Sequence, residues 1–120
     1  MQISDNALDG MADLFSALAH PLRLSLLRLL LQRPMCVSRL AAALDAPQPT
    51  VSRNLAILRR AGLVRRQQHE AFVRYELAED VQGQPLRPLW DLILAIVADL
   101  YDEETVECRL AAQGIRTPPW

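Results

Sequence analysis

Gln48-Pro49-Thr50-Val51-Ser52-Arg53-Asn54-Leu55-Ala56-Ile57-Leu58-Arg59-Arg60-Ala61-Gly62-Leu63-Val64-Arg65-Arg66 decides how this chain reads. Val51, Leu55 and Leu58 recur at helical spacing and bury one stripe, which leaves Gln48, Thr50, Ser52, Arg53 and Asn54 free near the helix start. Residues at that place in a helix-turn-helix reach base edges in the DNA major groove. Gly62 predicts a left-handed stop, and the run from Leu63 to Gln68 is β-prone. Helix, glycine and basic strand together predict a winged helix.

Working upstream, Asp45-Ala46-Pro47 makes the turn into the recognition helix, and Cys36 to Leu44 forms the short helix before it. Pro21 suits the first turn of another helix, whose leucines between Leu22 and Leu31 are so dense that it must lie at the centre of the core. Before it, Asp5 or Asn6 caps a first helix that carries Ala7, Leu8, Met11, Leu14, Phe15 and Leu18 as an apolar stripe to about His20.

Downstream, strands Leu63 to Gln68 and Phe72 to Leu77 flank the loop His69-Glu70-Ala71 and form the wing. Arg65, Arg66 and Arg74 line it against DNA phosphates or the minor groove, with Val64, Val73 and Tyr75 directed inward. Pro85 and Pro88 mark the entry to a last helix from roughly Leu86 to Ala112, on the order of 40 Å long. It is apolar on nearly every side, which predicts a homodimer through this helix and the first one: Leu8, Met11, Phe15, Trp90, Ile93, Val97 and Leu100 are the expected interface. A two-fold dimer suits a palindromic DNA operator. Residues 1–112 therefore read as one winged helix-turn-helix domain with dimerisation helices, mainly α with a small β-hairpin, and residues 113–120 as a C-terminal tail.

Composition bounds the function. The chain has 120 residues, 51% hydrophobic, enough for one domain with a modest core. No apolar run reaches the ~18 residues of a membrane span, and the first residues lack the order of a signal peptide, so a cytoplasmic protein with no membrane partner is expected. The net charge of −1 argues weakly against nucleic acid, but its distribution does not. Every basic residue is arginine; Arg53, Arg59, Arg60, Arg65, Arg66 and Arg74 crowd the reading head, while Asp99, Asp102, Glu103, Glu104 and Glu107 form a solvated acidic end. That cluster separates a DNA-binding module from a protein-interaction winged helix that never touches DNA. There is no glycine-rich phosphate loop, no nucleophile paired with histidine and no acid pair in a cleft, so the chain is not expected to be an enzyme.

The segments Ala17 to Leu24, Gln48 to Leu55 and Arg60 to Val64 resemble the ArsR/SmtB repressors, small dimeric winged-helix proteins that leave DNA on binding a metal or metalloid. The resemblance covers nearly the whole chain. It implies that Gln48, Thr50, Ser52 and Arg53 read the major groove, and that Arg65, Arg66 and Arg74 hold the backbone through the wing. Arsenic-sensing members carry Cys-Val-Cys in the helix before the recognition helix; the equivalent here is Cys36-Val37-Ser38, which rules out a three-thiolate site in that helix. The last helix offers Asp99, Asp102, Glu103 and Glu107 but no histidine, which disfavours zinc or nickel.

Two readings of the cysteines stand side by side. Cys36, near a helix start with Arg33 and Arg39 close in sequence, and Cys108, beyond the acidic cluster, form either a two-thiol site for a soft inducer such as trivalent arsenic or a redox pair. Alternatively Cys36 is a small buried or capping residue and Cys108 is incidental. His20, before Pro21 at a helix junction, suits capping or packing better than metal ligation, and His69 lies at the wing tip. Trp90 reads as a dimer-core anchor.

Overall fold

The computed structural model describes residues 5–78 and 87–99. Its elements run α1 (Asp5–Leu18), α2 (Pro21–Gln32), β1 (Met35–Cys36), α3 (Val37–Leu44), α4 (Gln48–Arg60), β2 (Val64–His69), β3 (Phe72–Leu77) and α5 (Arg87–Asp99). Cys108, Leu100 and the expected tail lie outside the described residues, as does the side chain of Trp90.

One residue makes the corner between the first two helices. His20 takes an extended backbone, and its ring Nδ1 accepts a hydrogen bond from the Leu22 N–H at 3.1 Å, satisfying a donor that the helix itself leaves orphaned. Pro21 follows at the first helical position, where no N–H is needed. The helix axes bend by 90° across this junction. Leu26, Leu27, Leu29 and Leu30 of α2 are buried, each burial contributing roughly 1.5–3 kcal/mol. Packed around them are Leu14, Leu18, Leu40, Val51, Leu55, Leu58 and Leu63, so α2 is the centre of the core as its leucine density predicts.

The two helix ends that shape the helix-turn-helix are closed in the same way. After α3, Asp45 adopts a left-handed φ of 50°; its N–H bonds Ala42 O and the Ala46 N–H bonds Ala41 O. After α4, Gly62 at φ 80° donates to Arg59 O, and Leu63 donates to Leu58 O, both at 3.0 Å. Both are Schellman closures, and the second carries its customary apolar contact because Leu58 and Leu63 are fully buried.

The sheet differs from the two-stranded hairpin read from sequence. It has three antiparallel strands in the order β1-β3-β2, with Met35 opposite Tyr75 and Cys36 opposite Arg74. A two-residue strand between Pro34 and a helix shows no alternation to read, so β1 was invisible. The hairpin also closes later: His69 pairs with Phe72, leaving Glu70 and Ala71 as the loop. The positive φ that a tight hairpin needs falls on Glu70, at 55°, in place of the usual glycine or asparagine. Among the described residues no single helix is long and apolar enough to cross a membrane.

Candidate nucleic-acid interface

The α4 helix starts at Pro47, whose carbonyl accepts from the Val51 N–H at 3.1 Å. Pro49 falls in the first turn, where its missing donor costs nothing. Val51, Asn54, Leu55 and Leu58 face inward; Gln48, Pro49, Ser52, Arg53, Arg59 and Arg60 are exposed, and Thr50 is half-buried at the edge. The outward arc thus presents Gln48, Ser52 and Arg53 together near the helix start. Arg53 Nη2 folds back onto Thr50 Oγ1 at 3.5 Å, a long contact that a base edge can replace. Arg59 and Arg60 occupy the last turn, where cations suit the helix dipole.

Asn54 departs from the sequence expectation. It is only 8% exposed, its Oδ1 accepts from Arg23 Nη1 at 3.0 Å, and its Nδ2 donates to Thr50 O at 2.8 Å. Its amide is therefore engaged inside the protein and is not free to read a base. The reason is positional: three residues after Val51 and four before Leu58, Asn54 sits in the inward stripe. Arg23 is the residue that sequence reasoning missed; besides Asn54, it bonds two carbonyls at the end of α1.

On the wing, Arg65, Gln67 and His69 of β2 share a face with Glu76, Arg74 and Phe72 of β3. Arg65 pairs with Glu76 at 3.0 Å, and Arg74 Nη2 donates to Gln67 Oε1 at 3.2 Å. The Arg65 pair is half-exposed and worth about 0–1 kcal/mol, so it yields readily to a phosphate. Arg66 lies opposite Tyr75 in the ladder, and its side chain is exposed. Tyr75 and Val64 pack against the core as expected, and Val73 is half-buried.

The outer faces of the helices sort the expected dimer contacts. Leu8, Met11 and Phe15 lie along one exposed face of α1, while Leu14, Ala17 and Leu18 turn inward. On α5 the expectation for Val97 is corrected, since it is buried at 6%; Ile93 is half-buried against the core and lines, with Val97 and Ile96, a cleft beside Pro21 and Leu24 of α2. A helix apolar all round gives no sign of which side turns inward. Among the described residues, the exposed large apolar side chains of α5 are Leu92 and Ile96.

Cys36 is a free, buried thiol at the junction of β1 and α3, with Sγ 3.3 Å from Ser38 Oγ. Among the described residues no three metal-ligating side chains come together.

This arrangement of α3, turn, α4 and wing is a winged helix-turn-helix. The model of the bacterial regulatory protein arsR family matches residues 20–66, from the corner at His20 through the first wing residues. The chain is 39% identical over 84 residues to the biofilm growth-associated repressor of Agrobacterium fabrum, covering 70% of this chain and 72% of that protein. It is 40% identical over 72 residues to the HTH-type transcriptional repressor SmtB of Mycobacterium tuberculosis, covering 60% and 53% respectively. The homodimeric winged helix-turn-helix DNA-binding domain of a possible ArsR-family regulator from Mycobacterium bovis superposes with TM-score 0.65 at 33% identity, over 81% of this chain and 88% of that one. The chain belongs to the ArsR/SmtB family of transcriptional repressors.

Proposed function

We propose that the protein represses transcription as a homodimer that places one α4 in each of two major grooves of a palindromic operator and is released by an inducer acting through Cys36. The observation that carries the DNA-reading part is the exposed row Gln48, Ser52 and Arg53 at the start of α4, together with exposed Arg65 and Arg66 on the wing. The two α4 helices of such a dimer read half-sites about 34–36 Å apart. A second copy covers Leu8, Met11 and Phe15 of α1 with Leu92 and Ile96 of α5. Residues 1–112 act as the unit, with 113–120 as its tail.

The roles divide by chemistry. Gln48, Thr50, Ser52 and Arg53 specify bases; Arg65, Arg66 and Arg74 hold phosphates. Arg53→Ala should cost about 1–3 kcal/mol of discrimination between operator and mismatched duplex. Arg66→Ala should weaken all duplexes alike and reduce the slope of log affinity against log salt by about one. Gel shifts at several salt concentrations check this, and equal behaviour of the two variants would contradict the division.

The inducer is a soft, thiophilic species such as trivalent arsenic, with Cys36 supplying one thiolate and Cys108 the second. Cys36 supports this reading by its place: it stands opposite Arg74 in the sheet and heads the helix that precedes α4. A group bound there disturbs wing and helix-turn-helix together, and favours the conformation that binds DNA weakly. Arsenite added to the protein–DNA complex in the presence of reductant should release the unaltered protein and leave the Cys36→Ser and Cys108→Ser variants bound. Release of both variants at the same arsenite concentration would remove the site.

A further inference from the structure

Arg23, the third residue of α2, has no part in the DNA-contacting or dimer surfaces proposed above, yet it joins three helices. Its Nε donates to Ala17 O at 2.6 Å and its Nη2 to Ser16 O at 3.3 Å, carbonyls in the last turn of α1, the second of which also accepts from the Ala19 N–H. Its Nη1 donates to Asn54 Oδ1, 31 residues away on the recognition helix. A guanidinium only donates, so Asn54 must turn its oxygen toward Arg23 and its NH2 toward Thr50 O. The amide is gripped at both ends, and one of those ends is the first turn of α4.

The leucines alone do not supply this constraint. Apolar contact through Val51, Leu55 and Leu58 is non-directional and leaves α4 some freedom to roll about its axis. The directional bond from Arg23 to the buried Asn54 amide opposes that roll, while the amide's other bond, to Thr50 O within α4, fixes which way its oxygen faces. The tie acts on the edge of the helix next to Thr50, whose hydroxyl accepts from Arg53. The other end of the network is the C-terminus of α1, the helix whose outer face carries Leu8, Met11 and Phe15.

We propose that Arg23 is a positioning residue for DNA recognition: by tying the end of α1 to Asn54 it sets the roll of α4, and so orients Ser52 and Arg53 relative to the dimer surface. This rests on the DNA-binding reading above. Arg23 touches no base and no phosphate in this role; it acts through Asn54.

The test uses the full chain and two probes, a duplex selected by the unaltered protein from a random library and mixed-sequence genomic DNA. Arg23→Lys keeps the charge but loses the fork, and Asn54→Leu breaks the link while leaving Arg23 on α1. Each should reduce the affinity ratio between the two probes about tenfold, the size of one charge-assisted hydrogen bond, with genomic DNA binding unchanged. The double variant should lose no more than either single one, because both remove the same link. Circular dichroism and sedimentation establish that each variant is folded and associated as the unaltered protein is. A retained ratio in the Asn54→Leu variant, or losses that multiply in the double variant, would overturn the proposal. If the unaltered protein selects no duplex at all, the DNA-binding reading fails and takes this role with it.

Discussion

Leu58→Ala is expected to lower the unfolding free energy by about 3–5 kcal/mol, the range for a fully buried leucine in a close-packed site. Two losses coincide at this position. Leu58 is fully buried in the core, so truncation leaves a cavity that the surrounding leucines of α2 can fill only in part. Its side chain and that of Leu63, both fully buried, also form the apolar part of the closure at the end of α4, so the turn into the wing loosens although the backbone carbonyl that accepts from Leu63 is kept. Since domains of this size have a total stability of roughly 5–15 kcal/mol, the variant retains only a fraction of its margin. Denaturant unfolding with linear extrapolation measures the effect; a midpoint within experimental error of the unaltered protein would contradict the packing described for α4. The exposed neighbour Arg59→Ala serves as the comparison, with an expected change within about 0.5 kcal/mol.

The same segment shows why the fold was largely legible from sequence. Val51, Leu55 and Leu58 state a helical period, Gly62 states a left-handed stop, and arginine-rich strands follow; each local signal agrees with the tertiary arrangement. Legibility ends where a structure depends on partners distant in the chain. Asn54 reads as a surface residue by type, and only its spacing from Val51 and Leu58 hints that it faces inward. A polar residue that completes an apolar period points to a buried partner, but nothing local says that the partner is Arg23, on another helix. The β1 strand fails for a related reason, since it exists only through its bonds to β3. On α5 the difficulty is reversed: Ile93, Ile96 and Val97 are equally apolar, and only packing against α2 decides that Val97 turns in and Ile96 out.

That division of α5 and α1 into inward and outward faces makes the largest functional effect specific. Phe15→Glu should convert the protein to a monomer and lower operator affinity about a hundredfold or more, because two linked α4 helices bind half-sites with an avidity that a single one lacks. Phe15 is 50% exposed within the protomer, so the new carboxylate meets water when the chain is alone and an apolar partner face when it is paired. Burying an unpaired charge there opposes association without disturbing the core that holds α4. Ile96→Glu, at 55% exposure on α5, should act in the same way. Val97→Glu should not: its side chain is packed beside α2, so the charge enters the protomer itself and lowers the melting temperature before it affects assembly. Sedimentation velocity and thermal unfolding on the three variants distinguish these outcomes. A Phe15→Glu protein that remains dimeric and binds its selected duplex undiminished would show that the outer face of α1 does not join the two copies.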